Sequence, residues 1–213
     1  MARVHHRKAM KDYPAQGIAK GEMYYYTKIK TGPRSSRVMR SKTPFKRSAL
    51  TQSDYLAQLY DWEDGKAEIG EMDSAQQFAD DIRALGEEQD EKFNNMPEGL
   101  QQGDSGQMLE ARRDACEQAA TEIEEIISEW EDAKSTWESE IEEYRTEKKF
   151  FDEETAAHDE WEDLDEEEQE DQPEPEVRDE PDLPDHTRDN GDDAYEFDED
   201  EWLDRVKEVS VEE

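Results

Sequence analysis

Residues 107–151 read QMLEARRDACEQAATEIEEIISEWEDAKSTWESEIEEYRTEKKFF, and this stretch decides the fold. Alternating steps of four and three from Leu109 reach thirteen positions, and ten of them are apolar. The apolar positions are Leu109, Cys116, Ala120, Ile123, Ile127, Trp130, Trp137, Ile141, Tyr144 and Phe151. An apolar period of 3.5 residues is typical of a helix in a left-handed coiled coil or helical hairpin. The pattern predicts one helix of about 65 Å with a single apolar seam.

The preceding segment, residues 51–93, is predicted to be helical as well, because its apolar residues are mostly three and four apart. Thr51 or Ser53 caps its start, and Gly65 and Gly70 predict a break near residues 65–73. Residues 94–106, NNMPEGLQQGDSG, form a loop because Asn, Pro and Gly favour turns. We therefore expect residues 51–151 to form an antiparallel, coiled-coil-like hairpin that serves as a spacer, with the seam available for homo-oligomerisation.

Charge is sorted along the chain. Residues 1–50 carry 13 Lys and Arg against 2 Asp and Glu, residues 51–151 carry 9 against 29, and residues 152–213 carry 4 against 31. With 32% apolar and 41% charged residues, the composition disfavours a large globular core. The single cysteine excludes an intrachain disulfide. No apolar run is long enough to span a membrane or to act as a secretory signal, so we expect a cytoplasmic protein.

The basic head, residues 1–50, is predicted to form a β-hairpin or a small three-stranded sheet. Residues 23–29 and 37–40 have strand character, and residues 31–33 read as a turn. Aromatic strand residues interleaved with Lys and Arg suit base stacking and phosphate contact. The candidate nucleic-acid-binding residues are Tyr24, Tyr26, Lys28, Lys30, Arg34, Arg37, Arg40, Lys42, Lys46 and Arg47. In the alternative, the tyrosines form the sheet's small core and the cations are solvated or bind an acidic protein.

Residues 152–213 are predicted to be a disordered acidic tail, since residues 159–200 are mostly Asp, Glu and Pro. The final stretch, EFDEDEWLDRVKEVSVEE, predicts a short amphipathic helix near residues 196–209. Its candidate partner-binding residues are Phe197, Trp202, Leu203 and Val206. Three roles stay open for the tail: a solubilising extension, mimicry of nucleic acid towards a host or phage protein, or masking of the head. Masking would pair Asp198, Glu199 and Asp200 with Arg37, Arg40 or Lys46.

No constellation of catalytic or metal-ligating residues is found in the sequence. The four histidines are His5, His6, His158 and His186, and they are scattered along the chain. Cys116 lies on the apolar seam, where a small buried side chain is expected. The chain contains no P-loop, G-x-S-x-G or G-x-G-x-x-G motif. We therefore expect a non-enzymatic protein without a cofactor or a metal.

Three stretches resemble a known protein family. They are KDYPAQGIAKGEMYYYTKIK from residue 11, RSKTPFKRSALTQS from residue 40 and MPEGLQQGDSGQMLEARRD from residue 96. They are similar to uncharacterised proteins of tailed bacteriophages and prophages that read KDYP..GIKKG..YY, SKTPP..SQLTQS and MPEGLQ.GD.G. Phe45 stands where that family tends to have a second proline. The resemblance covers roughly residues 8–113 and implies a phage-encoded accessory protein of the host cytoplasm, with no established activity.

Two functional hypotheses follow from these patterns. In the first, the basic head binds nucleic acid or an acidic partner, and the acidic tail modulates that binding. In the second, the acidic surface mimics DNA and inhibits a host nucleic-acid-binding or defence protein.

Overall fold

The structure, a computed structural model, describes residues 3–30, 35–165, 169, 172–189, 191 and 195–211. It is mainly helical, with a small antiparallel sheet near the N-terminus and one long helix, and the predicted fold class is confirmed in these elements. The chain divides into a first unit, residues 1–124 and 205–213, and a second unit, residues 125–204. Within the described ranges, no helix has both the length and the apolar character needed to cross a membrane.

The N-terminal sheet has three antiparallel strands in chain order: β1 (Val4–Lys8), β2 (Met23–Lys30) and β3 (Ser36–Ser41). The sequence predicted β2 and β3 and did not place β1, whose residues are all exposed. The connection from β1 to β2 folds back on the sheet, and Ala9 and Ile18 pack with Tyr24 in a small apolar core. The predicted turn at residues 31–33 lies outside the described residues.

The helices of the first unit begin and end where local signals predict. Helix α1 (Asp54–Lys66) is capped by Ser53, whose hydroxyl accepts a hydrogen bond from the Leu56 backbone N–H at 3.3 Å. It ends in the predicted break, and α2 (Ala75–Asn94) follows. The predicted loop, residues 94–106, contains one short helix, α3 (Glu98–Gln101).

The long helix α4 (Asp104–Glu162) continues beyond residue 151, the predicted end of the helix. Its first part packs antiparallel to α2, as the predicted hairpin requires. Arg83 of α2 lies 3.6 Å from Glu117 and 2.8 Å from Glu124 of α4. Asp90, about two turns later in α2, lies 3.1 Å from Arg113, which comes before Glu117 in α4. The two helices therefore run in opposite directions. Helix α1 also reaches α4 in the first unit, where the Tyr55 hydroxyl lies 3.7 Å from the Cys116 sulfur.

The predicted seam of α4 is largely buried. Leu109, Cys116, Ala120, Ile123, Trp130, Ile141 and Tyr144 are buried. Ile127 and Trp137 are only half-buried, and Ala119 and Ile126 are buried although they lie off the strict heptad positions. The apolar face is therefore wider than a two-helix seam, which fits the contacts of α4 with both α1 and α2.

The second part of α4 packs against the acidic tail. Because α2 has 20 residues and α4 has 59, their lengths are about 30 Å and 88 Å, and α2 cannot cover the whole seam. Residues 172–189, here called the strap, run antiparallel to α4 in the second unit. The indole N–H of Trp161 donates to the Gln172 carbonyl at 3.3 Å, and the indole N–H of Trp137 donates to the Thr187 hydroxyl at 2.8 Å.

The end of the chain contains three further elements: β4 (Thr187–Asp189), β5 (Tyr195–Phe197) and α5 (Asp200–Glu208). Strands β4 and β5 pair antiparallel. Within the segment predicted to be disordered, residues 172–186 carry neither helix nor strand, as that prediction implies, and side chains of the strap contact α4. The predicted terminal helix is present, although it begins a few residues later because β5 precedes it.

Candidate nucleic-acid interface on the N-terminal sheet

Strand register decides which head residues share a surface. In an antiparallel pair, directly opposed residues project from the same face of the sheet. Arg7 opposes Tyr24, His5 opposes Tyr26, and Arg40 also opposes Tyr26 from the other side. Period-two alternation along β2 adds Lys28 and Lys30 to this side. The basic face therefore consists of His5, Arg7, Tyr24, Tyr26, Lys28, Lys30 and Arg40.

The opposite face of the sheet packs on the rest of the first unit. Thr27 and Ile29 are buried on it. Ile29 and Met39 line a cleft of about 470 Å³ together with residues 48–52. The side-chain amide of Gln52 donates to the Lys30 carbonyl and ties this segment to β2. The basic face is the opposite side of β2, and Ala9 and Ile18 of the β1–β2 connection cover its end at Tyr24.

Aromatic rings hold the cations of the basic face in place. The rings of His5 and Tyr26 stack with centroids 4.8 Å apart and planes 18° apart. The Arg7 guanidinium carbon lies 4.6 Å from the centroid of the Tyr26 ring, and that of Arg40 lies 4.5 Å from the centroid of Tyr13. Such cation–π contacts orient a guanidinium without neutralising its charge, so its N–H groups stay available to an anion.

The Tyr24 hydroxyl lies among these cations. Its side chain is only 1% exposed, and the Arg7 Nε–H donates to its oxygen at 3.2 Å. Burial alone raises the pKa of Tyr24, but the hydrogen bond from Arg7, together with the nearby Tyr13 and Arg40, lowers that pKa below its ordinary value. The same hydrogen bond to Tyr24 raises the pKa of Arg7. The cations of the basic face therefore outweigh the effect of burial on the Tyr24 hydroxyl.

Carboxylates are absent from the described part of the basic face. The only acidic residues in residues 1–50 are Asp12 and Glu22. Asp12 accepts a hydrogen bond from the Lys20 backbone N–H at 2.6 Å, and Glu22 accepts one from the Ala19 N–H at 2.8 Å and pairs with Lys42 at 3.1 Å. Among the described residues, no carboxylate forms an ion pair with Arg7, Lys28, Lys30 or Arg40.

The structure groups only part of the predicted site. Tyr26, Lys28, Lys30 and Arg40 share the basic face. Tyr24 lies on the same side but is buried with Ala9 and Ile18, so it forms the small core that the alternative predicted and is not available for base stacking. Arg37 opposes Ile29 and therefore belongs to the other face, and Arg34 lies outside the described residues. The remaining cations are elsewhere: Lys42 pairs with Glu22, Arg47 pairs with Glu63 and stacks on Tyr60, and Lys46 is exposed.

Sequence reasoning missed two residues of the basic face, His5 and Arg7, and also Tyr13, whose ring lies against Arg40. His5 and Arg7 are two residues apart, the spacing that places both side chains on one face of a strand. This spacing was the sequence signal for their shared surface. Because β1 has no buried residue, its sequence VHHRK lacks the apolar alternation by which strands are recognised.

The predicted partner-binding residues of the tail pack against other side chains of this protein. Trp202, Leu203 and Val206 are buried, and the Phe197 ring lies 5.3 Å from Trp202 and 5.6 Å from Trp137, centroid to centroid. This arrangement corrects the expectation that these side chains are presented to a partner, since an amphipathic face is covered by the nearest apolar surface that can reach it.

The acidic residues of the tail that were predicted to pair with the head have a cation in their own unit. Asp198 and Asp200 both pair with Arg188, at 2.8 Å and 2.7 Å, and pairing of the tail with Arg37, Arg40 or Lys46 stays a prediction. Arg188 lies on the adjacent strand β4 and is nearer in the chain, so its pairing costs less chain entropy.

The second unit carries most of the acidic charge. Residues 125–204 contain 6 Lys and Arg against 37 Asp and Glu, a net charge of −31. The strap brings additional carboxylates alongside those of α4. One contact that holds it is the bidentate pair of Arg178 with Glu154, at 2.9 Å and 2.7 Å, which lowers the pKa of Glu154.

One group of potential metal ligands lies within the described residues: His158, Asp159 and Glu162, whose ligand atoms lie within 4.8 Å of one another. All three come from the exposed end of α4, and His158 Nε2 also faces Glu174 at 3.4 Å. Exposed acidic side chains at this helical spacing are common without an ion, so the group does not by itself indicate a metal site.

No family model, curated protein or solved structure matches this chain. The functional argument therefore rests on the geometry and charge described above.

Proposed function

We propose that this chain is a non-enzymatic nucleic-acid-binding accessory protein, encoded by a tailed phage and acting in the host cytoplasm. Its basic face contacts a single strand, with Lys28, Lys30 and the arginines on phosphates and the His5–Tyr26 stack beside the bases. The phosphates of the strand supply the negative charge that this face lacks, which favours binding. Its aromatic rings can stack on any base. The helices serve as the scaffold that presents the sheet.

One observation supports this proposal above the others. The protein has a net charge of −36, and yet the described carboxylates leave Arg7, Lys28, Lys30 and Arg40 without an ion pair. In so acidic a chain, exposed cations are expected to attract carboxylates of the chain itself. A face that keeps its cations together and unneutralised is suited to an external anion.

The test is binding of the full chain to a fluorescent single-stranded oligonucleotide over about 50 to 200 mM salt. Lys28→Gln and Lys30→Gln should each weaken binding similarly for different base sequences and reduce the salt slope by about one. Lys92→Gln is the matched control: it makes the same charge change on α2, where Lys92 pairs with Glu88 within the helix. No binding at the lowest salt concentration, or equal effects of all three variants, would contradict the proposal.

A second candidate function, mimicry of duplex DNA, is favoured by the second unit. The α4 segment in this unit, residues 125–162, is about 57 Å long. Together with the strap it carries 22 Asp and Glu against 6 Lys and Arg, a net charge of −16, or about one negative charge per 3.6 Å of helix. Each strand of duplex DNA carries about one per 3.4 Å. A surface with this charge density suits the DNA-binding face of a host protein, by the electrostatics that duplex DNA itself uses.

Competition separates this second function from the first. Host DNA-binding proteins captured on the immobilised chain should be released by duplex DNA and by salt in the range that releases them from DNA itself. Proteins that stay bound in excess duplex DNA would argue against mimicry. Lys28→Gln should leave this capture unchanged while weakening the chain's own binding to a single strand.

A further inference from the structure

Two histidine–tyrosine stacks lie on opposite faces of the same pair of strands. His5 opposes Tyr26, and His6 opposes Tyr25, in the pairing of β1 with β2. The His6 and Tyr25 ring centroids lie 4.4 Å apart with planes 17° apart, close to the 4.8 Å and 18° of the His5–Tyr26 stack on the basic face. Because successive residues of a strand point to opposite faces, the His6–Tyr25 stack belongs to the reverse face of the sheet.

The stack on the reverse face is accessible. Thr27 and Ile29 are buried on that face, but they belong to the C-terminal half of β2. In the N-terminal half of β2, Met23 is 50% exposed and Tyr25 is half-buried, and His6 beside them is exposed. The surface of the His6 ring that faces away from Tyr25 is therefore open to a further planar group.

A cation accompanies this second stack as well. Lys8 follows His6 by two residues in β1, so it lies on the same face, and it is exposed. Among the described residues, no carboxylate forms an ion pair with His6 or Lys8. An accessible aromatic ring next to an unneutralised cation suits a base and its phosphate, the combination by which proteins bind single strands.

The two stacks lie on either side of an open sheet edge. The strand order is β1-β2-β3, and within the described residues no strand pairs with the outer side of β1. The reverse face offers only Lys8 beside its stack, which is little charge for holding a separate polyanion. A strand already bound to the basic face reaches the second stack by an intramolecular step, and this raises the effective concentration of its next base there.

We propose that a single-stranded nucleic acid bound to the basic face passes round the edge of β1 and stacks a further base on His6, with Lys8 on the adjoining phosphate. This inference rests on the proposed function of the basic face and adds a second base-binding site to it. A duplex is excluded from this site because its bases are already paired and stacked on one another.

The experiment measures binding of the full chain to oligothymidylates of about 4 to 16 nucleotides at one low salt concentration. Affinity should rise with length as the strand becomes long enough to reach His6. His6→Ser should lower the affinity for the longest strand by about fivefold or more, the lower limit for loss of one stacked base, and leave the shortest strand unaffected. His5→Ser makes the same change on the neighbouring residue and the other face, so it should weaken binding of strands of every length.

His6→Phe keeps a ring against Tyr25, so it tests the site even if His6→Ser loosens β1. It should retain most of the affinity for the longest strand. If His6→Ser weakens the shortest and the longest strand by the same factor, or changes neither, the inference is overturned and the proposed function stands. Absence of binding of the unmodified chain to any strand at low salt would overturn both.

Discussion

The side-chain ammonium of Lys66, at the end of α1, lies 3.0 Å from the carbonyl oxygen of Val206. It also donates to the carbonyls of Lys207 and Val209, and it is only 3% exposed. The last carbonyls of a helix have no partner within the helix. Lys66 therefore caps the C-terminal end of α5 from a different element of the first unit, and this cation position also suits the helix dipole.

Lys66→Met should release the end of the chain. The substitution keeps most of the side-chain volume but leaves three carbonyls without their donor, so we expect a loss of about 1–3 kcal/mol in the free energy of unfolding. Hydrogen exchange should increase selectively at residues 205–211. Lys92→Met, on an exposed position of α2, is the control and should leave both measurements unchanged. Unchanged exchange at residues 205–211 would show that the cap does not hold the end.

The same lysine predicts a pH dependence. Burial lowers the pKa of Lys66 below its ordinary value of 10.5, although Glu63 and Glu122 partly oppose this effect. The unfolded chain therefore binds the proton more strongly than the folded chain at pH values between the lowered pKa and 10.5. Stability contributed by this group should rise as the pH increases through that interval. The difference in unfolding free energy between the wild type and Lys66→Met, measured at several alkaline pH values, should show this rise.

Substitutions on α4 should distinguish its buried from its half-buried seam positions. Ile141 is buried and Ile127 is half-buried. Ile141→Asp places an unpaired charge among apolar side chains and should lower the unfolding free energy by about 3 kcal/mol or more, whereas Ile127→Asp should cost clearly less. Thermal melting followed by circular dichroism measures both. Ser139→Asp is exposed on the same helix and should have little effect; an equal loss in all three variants would point to charge repulsion instead of burial.

Gly86 permits the close approach of α2 to α4. A Cβ atom added there would lie 3.0 Å from the Cβ of Cys116 and 3.4 Å from the Arg113 carbonyl oxygen. Gly86→Ala gains up to about 1 kcal/mol of helix propensity, but we expect overpacking of 1–3 kcal/mol to exceed that gain, so the net effect is a loss. Gly70→Ala, where no atom lies within 4 Å of the new Cβ, should be close to neutral. Denaturant titration of both variants checks the sign, and a stabilised Gly86→Ala would show that the helices can move apart freely.

Arg178 should hold the strap against α4. Its guanidinium pairs with Glu154 and lies 5.4 Å from the centroid of the Phe150 ring. Arg178→Gln removes one of the six cations of a unit with a net charge of −31, so the strap should detach and become sensitive to proteases at residues 172–186. Arg145→Gln is matched in charge, but Arg145 pairs with Glu142 on its own helix. Equal proteolysis of the two variants would attribute the effect to net charge alone. An exposed pair of this kind contributes up to about 1 kcal/mol, so global melting should change little.

Predictability from sequence differed between the two parts of α4. The heptad pattern and the loop at residues 94–106 predicted that α4 packs antiparallel to α2. Both signals lie within these two helices or in the loop that joins them. The pattern continued towards Phe151 with no further helix upstream to cover it. Its partner there is the strap, whose sequence of Asp, Glu and Pro has no period that would indicate packing. Contacts such as Trp161 with Gln172 and Trp137 with Thr187 depend on reach and geometry, which composition does not encode.

The candidate site shows the same division. Tyr24, Tyr26, Lys28, Lys30, Arg37 and Arg40 were all predicted from the sequence, and the first four share one strand, where alternation of side chains places them on one side. Cross-strand register kept Arg40 on that side, added His5 and Arg7, and placed Arg37 on the other face. A shift of one residue in the pairing of β2 with β1 or β3 would move the side chains of that neighbouring strand to the opposite face. The sequence of a single strand does not specify the register.

By itself, the sequence determined the helical class, the long seam, the break after α1, the sorting of charge and the small basic sheet. These follow from period, capping and composition, which act over a few residues at a time. Only the tertiary structure decided that the strap covers the second part of α4, that Lys66 caps α5, and that Arg7 and Arg40 share one face of the sheet. Each of these contacts joins residues distant in sequence, and its free energy depends on complementarity between surfaces that exist only once the chain has folded.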